Sequence, residues 1–277
     1  MLSSYKLFIK SKNYSLKWRK YFDVYDAIFK KFRKKKIIFV EVGVLNGGSL
    51  EIWKKYFHPK SRIIGIDLNP KCKKFQKKGI EIFIGDQSDE NFWKKFYKKV
   101  GKIDILLDDG GHTNKQQIIT TVKSIPNMND GGVLIVEDTH TSYMKNFGNP
   151  NKYSFINFTK KLVDDINYKF KGLGNFKFSL NDYIYSIQYF ESFVVFHINS
   201  KKTSYNRITN KFLTKKNFRD YKFKDLVKKK LSTNKIISKF KFLSKYSFAI
   251  LVYKITINKI YYLKNIFDVI KCKKFFR

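Results

Sequence analysis

The stretch Ile37-Ile38-Phe39-Val40-Glu41-Val42-Gly43-Val44-Leu45-Asn46-Gly47-Gly48-Ser49 sets the architecture. An apolar, β-branched run that ends in glycine reads as a strand buried on both faces. The glycines that follow permit a tight turn and a close backbone approach to a ligand, just ahead of a helix N-terminus with free N–H groups. A purely structural turn fits the same residues, and the spacing from Gly43 to Gly47 departs from the G-x-G-x-x-G dinucleotide pattern.

The pattern repeats downstream. Apolar runs at 62–67, 80–84, 103–108 and 132–137 alternate with helical patterns at 48–57, 89–99 and 114–125. Alternation of this kind implies βαβ units, a parallel sheet and helices on both of its faces. A helix is expected at 153–168, and residues 183–198 read as two strands joined so tightly at Glu191-Ser192 that they must be antiparallel. The predicted fold is α/β: a Rossmann-like doubly wound sheet of five parallel strands plus a C-terminal antiparallel hairpin. Residues 14–33 are predicted to be helical, with Leu16, Tyr21, Val24, Phe29 and Phe32 near helical spacing. Residues 201–277 lack glycine and proline and are also read as helical. Three regions result: a basic helical segment at 1–36, the α/β domain at 37–200, and a basic extension at 201–277.

With 277 residues, 43% hydrophobic and 18% aromatic, the chain can bury a sizeable core, which excludes wholesale disorder. No apolar run reaches the ~20 residues of a transmembrane helix; the longest candidate, Tyr246 to Tyr253, stops at Lys254. Lysines interrupt the N-terminus too often for a signal peptide. Cys72 and Cys272 give neither a disulfide framework nor a metal cluster. The expectation is a cytoplasmic chain, either soluble or peripheral on the inner face of the membrane. The formal charge is +36, unevenly spread: 12 basic and 2 acidic side chains in 1–36, 23 and 17 in 37–200, 23 and 3 in 201–277. Such a charge suits nucleic acid or an anionic membrane. Arginine at only six positions and alanine at only two, among abundant Lys, Asn, Ile, Phe and Tyr, equally suit AT-rich codon bias.

Ligands of a doubly wound sheet bind beyond the carboxyl ends of its strands, and here those ends are dense in carboxylates. Asp67 closes the second strand, placed either to accept hydrogen bonds from ribose hydroxyls or to cap a turn. Asp86, in Gly85-Asp86-Gln87-Ser88-Asp89, is placed to accept from an adenine amine, and Asp89 to cap the next helix. The fourth and fifth ends carry Leu107-Asp108-Asp109-Gly110-Gly111-His112 and Val136-Glu137-Asp138-Thr139-His140. Adjacent central strands bring Asp109, Glu137 and Asp138 together, and three carboxylates in one cleft repel unless cations or protons compensate. Hard oxygen donors without cysteine favour Mg²⁺, Mn²⁺ or Ca²⁺. His112, three residues past Asp109, is either a loop histidine or a base.

These motifs resemble the class I S-adenosylmethionine-dependent methyltransferases, and within them the metal-dependent sugar O-methyltransferases of the mycinamicin/macrocin type. The segments Ile84 to Asp89, Asp108 to His112 and Glu137 to Tyr143 carry the likeness, although Gly111 stands where that family more often has serine. The resemblance covers 37–198. It implies that Asp109, Glu137 and Asp138 bind Mg²⁺ (or Mn²⁺) and that His112 is the general base. It also implies an S-adenosyl-L-methionine pocket lined by Glu41, Gly43, Asp67, Asp86 and Asp108. Asn46, Gly47 and Ser49 of the glycine turn and Gln87 beside Asp86 are assigned to the same pocket. The partner would be a sugar-containing acceptor of a glycan or glycosylated metabolite. Members of that family use a separate N-terminal domain for the sugar site and the oligomer; here a short basic helix precedes the sheet, so homo-oligomer formation and acceptor identity stay open.

Two other function classes compete. The charge suits an RNA methyltransferase, but no Asn/Asp-Pro-Pro-Tyr-type signature or nucleophilic cysteine is evident, and nucleic acid is disfavoured as a partner. A non-catalytic binding protein on the same fold would not need the carboxylates. The lysine-aromatic mixture at 239–248 fits a cap on the sheet, a polyanion arm, a dimer element or a helix on an anionic membrane.

Overall fold

A computed structural model of the chain describes residues 2–77, 79–147, 152–168, 179–201 and 255–256. The chain divides into two units, 1–205 and 206–277, and the first contains the whole sheet. In chain order its elements are α1 (Ser4–Phe8), α2 (Tyr21–Phe29), β1 (Ile38–Val42), α3 (Gly48–Tyr56), β2 (Arg62–Asp67), β3 (Ile80–Ile84), α4 (Glu90–Val100), β4 (Ile103–Asp108), α5 (Asn114–Ser124), β5 (Met128–Val136), α6 (Phe155–Asn167), β6 (Ile184–Phe190) and β7 (Phe193–Ile198). The strands form one sheet in the order β3-β2-β1-β4-β5-β7-β6. β1 to β5 pair in parallel, β7 runs antiparallel to β5, and the β6–β7 hairpin closes the edge. This is the doubly wound sheet with a terminal hairpin that the sequence implied.

Alternate side chains of each strand feed two separate cores. Phe39, Ile105, Val133 and Phe193 face one side and Val40, Leu106, Leu134 and Val194 the other, all buried. Both faces being covered explains why the strands read as continuous apolar runs. α1, α2 and α3 lie over the first core, where Tyr25 and Phe29 set their rings edge-on to Trp53 at 5.0 and 5.4 Å. α4, α5 and α6 lie over the second. The Asp89 side chain caps α4, and Thr113 and Gln116 make a reciprocal capping box on α5.

Two features bear on the site. The register pairs Val42 with both Ile66 and Asp108, and Asp108 with Val136. The tips of β1, β2, β4 and β5 therefore end level, and the strand order turns back between β1 and β4, where such sheets bind ligands. The second feature corrects the helix expected over 14–33: helix begins only at Tyr21, and after Phe29 one 3-10 turn runs from Lys30 to Phe32. The helical reading put Leu16 on the apolar stripe, yet Leu16 is 73% exposed and the neighbouring Lys17 side chain is the buried one. Among the described residues no helix is long and apolar enough to cross a membrane. The helical reading of 201–277 lies outside the described residues, apart from Lys201 and Ile255–Thr256.

Candidate active site

Gly43 marks where the cleft opens. Its φ is +92°, and a Cβ there would stand 2.0 Å from the Asp109 carbonyl oxygen, so neither its backbone angle nor the space beside it admits a side chain. Its N–H donates to Ile66 O at 2.8 Å, and that of Asp109 donates to Val42 O at 3.0 Å, extending the ladders past the strand ends. Beyond this junction lies a cavity of about 450 Å³ lined by Gly43, Asp67, Asp86, Gln87, Gly110 and His112 among others. Asp67 Oδ2 accepts from the N–H groups of Val44 (2.8 Å) and Leu45 (3.3 Å), and its Oδ1 from that of Asn69. Asp86 is fixed by the Ser88 N–H and hydroxyl. Gln87 ties the wall together, donating to Asp108 Oδ1 and Thr120 Oγ1 and accepting from the Gly111 N–H.

The structure separates the residues assigned to one pocket. Gly43, Asp67, Asp86 and Gln87 line the cavity; Glu41, Asn46, Gly47, Ser49 and Asp108 do not. Asn46 is exposed in the turn, and Gly47 packs against the Phe75 ring. Ser49 Oγ donates to Glu41 Oε2 at 2.8 Å, and both are buried. Asp108 is buried behind the wall, where loss of solvent pushes its carboxyl up to about 6 against the pull of Gln87.

Beside the cavity the tips of β1, β4 and β5 present Glu41, Asp109, Glu137 and Asp138. A residue absent from the sequence reading enters among them. Lys17, its side chain only 3% exposed, places Nζ 2.6 Å from Asp109 Oδ2, 3.0 Å from Glu137 Oε2 and 3.5 Å from Glu41 Oε1. Burial works against its charge, but these carboxylates outweigh it and hold the ammonium's pKa well above the ordinary lysine range. The carboxyls are not fully compensated in return. Burial raises Glu41 to about 7 and Glu137 well above the ordinary range, both against Lys17's pull. One ammonium among four carboxyl groups leaves the cluster short of positive charge.

α2 supplies two further partners. The Tyr25 hydroxyl donates to Glu137 Oε1, and that of Tyr21 donates to Asp138 Oδ1 and pairs with the Ser192 hydroxyl at 2.9 Å. Their i, i+4 spacing was visible in the sequence; Lys17 had no local signal, being one lysine in a lysine-rich segment. His112 Nε2 lies 3.5 Å from Asp138 Oδ2 and 3.9 Å from Asp109 Oδ1, and Nδ1 is buried without a hydrogen-bond partner. His112 and Asp138 both adopt left-handed backbone angles, φ +60° and +54°. Strain of roughly 1–3 kcal/mol at each is retained where the surroundings fix it, and the Thr141 hydroxyl does so by bridging the carbonyls of both.

One donor atom from each of Asp109, His112 and Asp138 lies within 4.8 Å of the others. The two hard carboxylate oxygens, in a charge-deficient cluster, fit a divalent ion, with the imidazole beside them. Glu137, expected as a further ligand, has both oxygens hydrogen-bonded, to Lys17 and Tyr25. On the far side of Asp138 a groove of about 600 Å³ is lined by Trp18, Tyr21, His140, Met144 and Ser192 among others.

No family model matches the chain. It is 30% identical over 158 residues to the 8-demethyl-8-alpha-L-rhamnosyl tetracenomycin-C 2'-O-methyltransferase of Streptomyces olivaceus, covering 53% of this chain and 41% of that one. It is 31% identical over 157 residues to the mycinamicin VI 2''-O-methyltransferase of Micromonospora griseorubida, covering 52% and 39%. The chain thus spans about two fifths of the length of these relatives. Among solved structures, MycE methyltransferase from the mycinamycin biosynthetic pathway, in complex with Mg and SAH, superposes with a TM-score of 0.67 at 22% identity, covering 82% of this chain and 59% of that one. The chain therefore has the class I S-adenosylmethionine-dependent methyltransferase fold, and its sequence is similar to sugar O-methyltransferases.

Proposed function

We propose that the chain is an S-adenosylmethionine- and divalent-ion-dependent O-methyltransferase acting on a sugar hydroxyl, with His112 as general base. The observation that carries this reading is the position of Asp138. Its Oδ2 faces His112 beside the cavity at the β1–β4 junction, and its Oδ1 faces Tyr21 at the groove. A cofactor in the cavity and an acceptor in the groove would meet across it.

Asp67 and Asp86 would hold the cofactor's polar ends, since each keeps lone pairs beyond those its own turn uses. Asp109 and Asp138 would hold the divalent ion, which would make an acceptor hydroxyl more acidic, and S-adenosylmethionine would supply the electrophilic methyl group. His112 Nε2 takes the acceptor hydroxyl proton as the oxygen–methyl bond forms and the carbon–sulfur bond breaks, leaving the electron pair on sulfur. The carboxylates of Asp109 and Asp138 offset the charge the ring gains. Trp18 offers an exposed indole face to the sugar's C–H edge, and His140 and Ser192 line the acceptor side. Residues 201–277, with 23 basic side chains, are proposed to touch an anionic membrane peripherally; equal co-sedimentation of the chain with anionic and zwitterionic vesicles would dispose of that role.

Methyl transfer from labelled S-adenosylmethionine to a panel of deoxysugar- and rhamnose-bearing acceptors tests the reading. Transfer abolished by chelator and restored by Mg²⁺ or Mn²⁺ is expected. Chelator-insensitive transfer, or transfer to RNA alone, would overturn it.

A further inference from the structure

Tyr21, His140 and Ser192 line the groove beyond Asp138, and one hydroxyl joins the other two. β6 ends at Phe190 and β7 begins at Phe193, which leaves Glu191 and Ser192 as the whole turn. Ser192 sits there at φ +65°, a left-handed angle that strains an L side chain and suits glycine. Its Oγ meets the Tyr21 hydroxyl at 2.9 Å and His140 Nδ1 at 2.5 Å, and its carbonyl accepts from the Thr139 N–H at 3.2 Å. The two side-chain partners differ in freedom. Tyr21 is buried with its ring edge-on to Phe193 at 4.1 Å, so its hydroxyl is a fixed post. The His140 side chain is 40% exposed, and the Asp138 carboxylate approaches its Nδ1 only to 4.0 Å, beyond hydrogen-bond reach. Among the described residues, Ser192 is the hydrogen-bond partner that holds this ring.

We propose that Ser192 is a positioning residue of the acceptor site: it holds the His140 ring so that Nε2 hydrogen-bonds a second hydroxyl of the sugar, not the one that is methylated. With Nδ1 committed to Ser192, Nε2 is the ring nitrogen left for a ligand. His112 lines the cavity and His140 the groove, so a sugar whose reacting hydroxyl stands at His112 presents a different hydroxyl to His140. The site thereby selects acceptors that keep that second hydroxyl free and rejects those that lack it, because Nε2 then loses its partner. The same role accounts for the backbone angle. Glycine at 192 would relieve the strain but leave the imidazole free to rotate, and ordering it on binding would then weaken the contact.

This inference rests on the sugar O-methyltransferase reading above, and the test separates the two. Initial rates are measured on the full chain with saturating S-adenosylmethionine and Mg²⁺. The acceptors are para-nitrophenyl α-L-rhamnoside and its monodeoxy analogues, or the panel's best acceptor and its own deoxy analogues where that one serves better. The variants are Ser192→Gly, Ser192→Ala, His140→Ala and the double variant Ser192→Gly with His140→Ala, each with a thermal melt. Every single variant should raise the acceptor KM about fivefold, the usual worth of one neutral hydrogen bond, with kcat held within about twofold. The double variant should be no worse than His140→Ala, because Ser192 acts through that ring. One deoxy analogue should show the same rise in KM with the wild type and no further rise with His140→Ala. Ser192→Gly should melt above Ser192→Ala, since glycine alone is at ease at the left-handed angle, which separates lost acceptor binding from lost fold. A wild-type KM in Ser192→Gly or His140→Ala, or effects that multiply in the double variant, would overturn the inference and leave the methyltransferase reading standing. A wild type that binds S-adenosylmethionine yet methylates no sugar would remove that reading, and the inference with it.

Discussion

The cavity at the β1–β4 junction and the acidic cluster beside it share the same strand tips but are assembled differently. The cavity is built almost wholly from residues next to their own strands: Gly43 after β1, Asp67 ending β2, Asp86 after β3 and Gly110 after β4. The cluster has its carboxylates at strand tips but is completed by Lys17, 92 residues from Asp109 and 120 from Glu137. One is a backbone cradle and the other a charge assembly. A cradle depends on conformation, which short sequence patterns encode; a charge assembly depends on which distant segment brings the missing sign.

The two should break differently. The largest expected effect is on the charge side: His112→Ala should lower turnover by about 10²–10⁴, the usual worth of a positioned base. S-adenosylmethionine binding, measured by calorimetry, should persist. Near-normal turnover in the variant would remove the base and reduce the cluster to a structural ion site. On the cradle side, Gly43→Ala meets both a positive φ and a backbone carbonyl 2.0 Å away. Left-handed strain and overpacking together should cost about 2–4 kcal/mol of stability in a denaturant titration. Cofactor affinity should fall with it, because the clash pushes β1 and β4 apart where the cavity opens. A stable variant with intact affinity would show that the junction is softer than its geometry implies.

Third comes pH. Glu41's carboxyl, raised to about 7 by burial, is protonated more readily in the fold than in the unfolded chain. A raised pKa contributes stability that is fully present below the unfolded value, near 4.5, and is lost as pH rises through the folded value. Without metal the chain should therefore lose up to about 3 kcal/mol between roughly pH 4.5 and 7. Glu41→Gln should flatten that profile. An unchanged profile in the variant would mean that Lys17 compensates Glu41 fully.

This difference in construction also explains what the sequence disclosed. The strand read at 37–43 forms as Ile38–Val42, and the hairpin read across Glu191-Ser192 forms as Ile184–Phe190 and Phe193–Ile198. Strands buried on both faces leave an unbroken apolar signature, and the turn between them is short enough to fix direction. The nearness of Asp109 and Asp138 was legible for the same reason, since they lie one and two residues past the ends of adjacent strands. The segment before α2 was not. Helical periodicity put Leu16 on the apolar stripe, while in the fold Leu16 is exposed at the cavity and the Lys17 side chain is the buried one. Lysine is buried where carboxylates receive it, and those lie far along the chain. Glu41 and Asp108 were assigned to the pocket through the family resemblance; here both are buried, Glu41 against Ser49 and Lys17 and Asp108 against Gln87.

The smallest predicted effect tests whether the segment that completes the cluster also completes the acceptor site. Trp18 follows Lys17 directly, yet its indole is 65% exposed and lines the groove beyond Asp138. An exposed ring lends little to folding, so Trp18→Ala should leave the melting temperature nearly unchanged. Partial burial of its face by a sugar is worth roughly 1 kcal/mol, or about fivefold in the acceptor KM, with kcat preserved. That split matters more than its size. Binding lost equally from ground and transition states raises KM alone, as expected of a surface that holds the acceptor without touching the reacting atoms. Should kcat fall instead while KM holds, Trp18 acts by seating its neighbour Lys17 among the carboxylates. The segment would then belong to the charge assembly only, and the acceptor would have to approach Asp138 by another route.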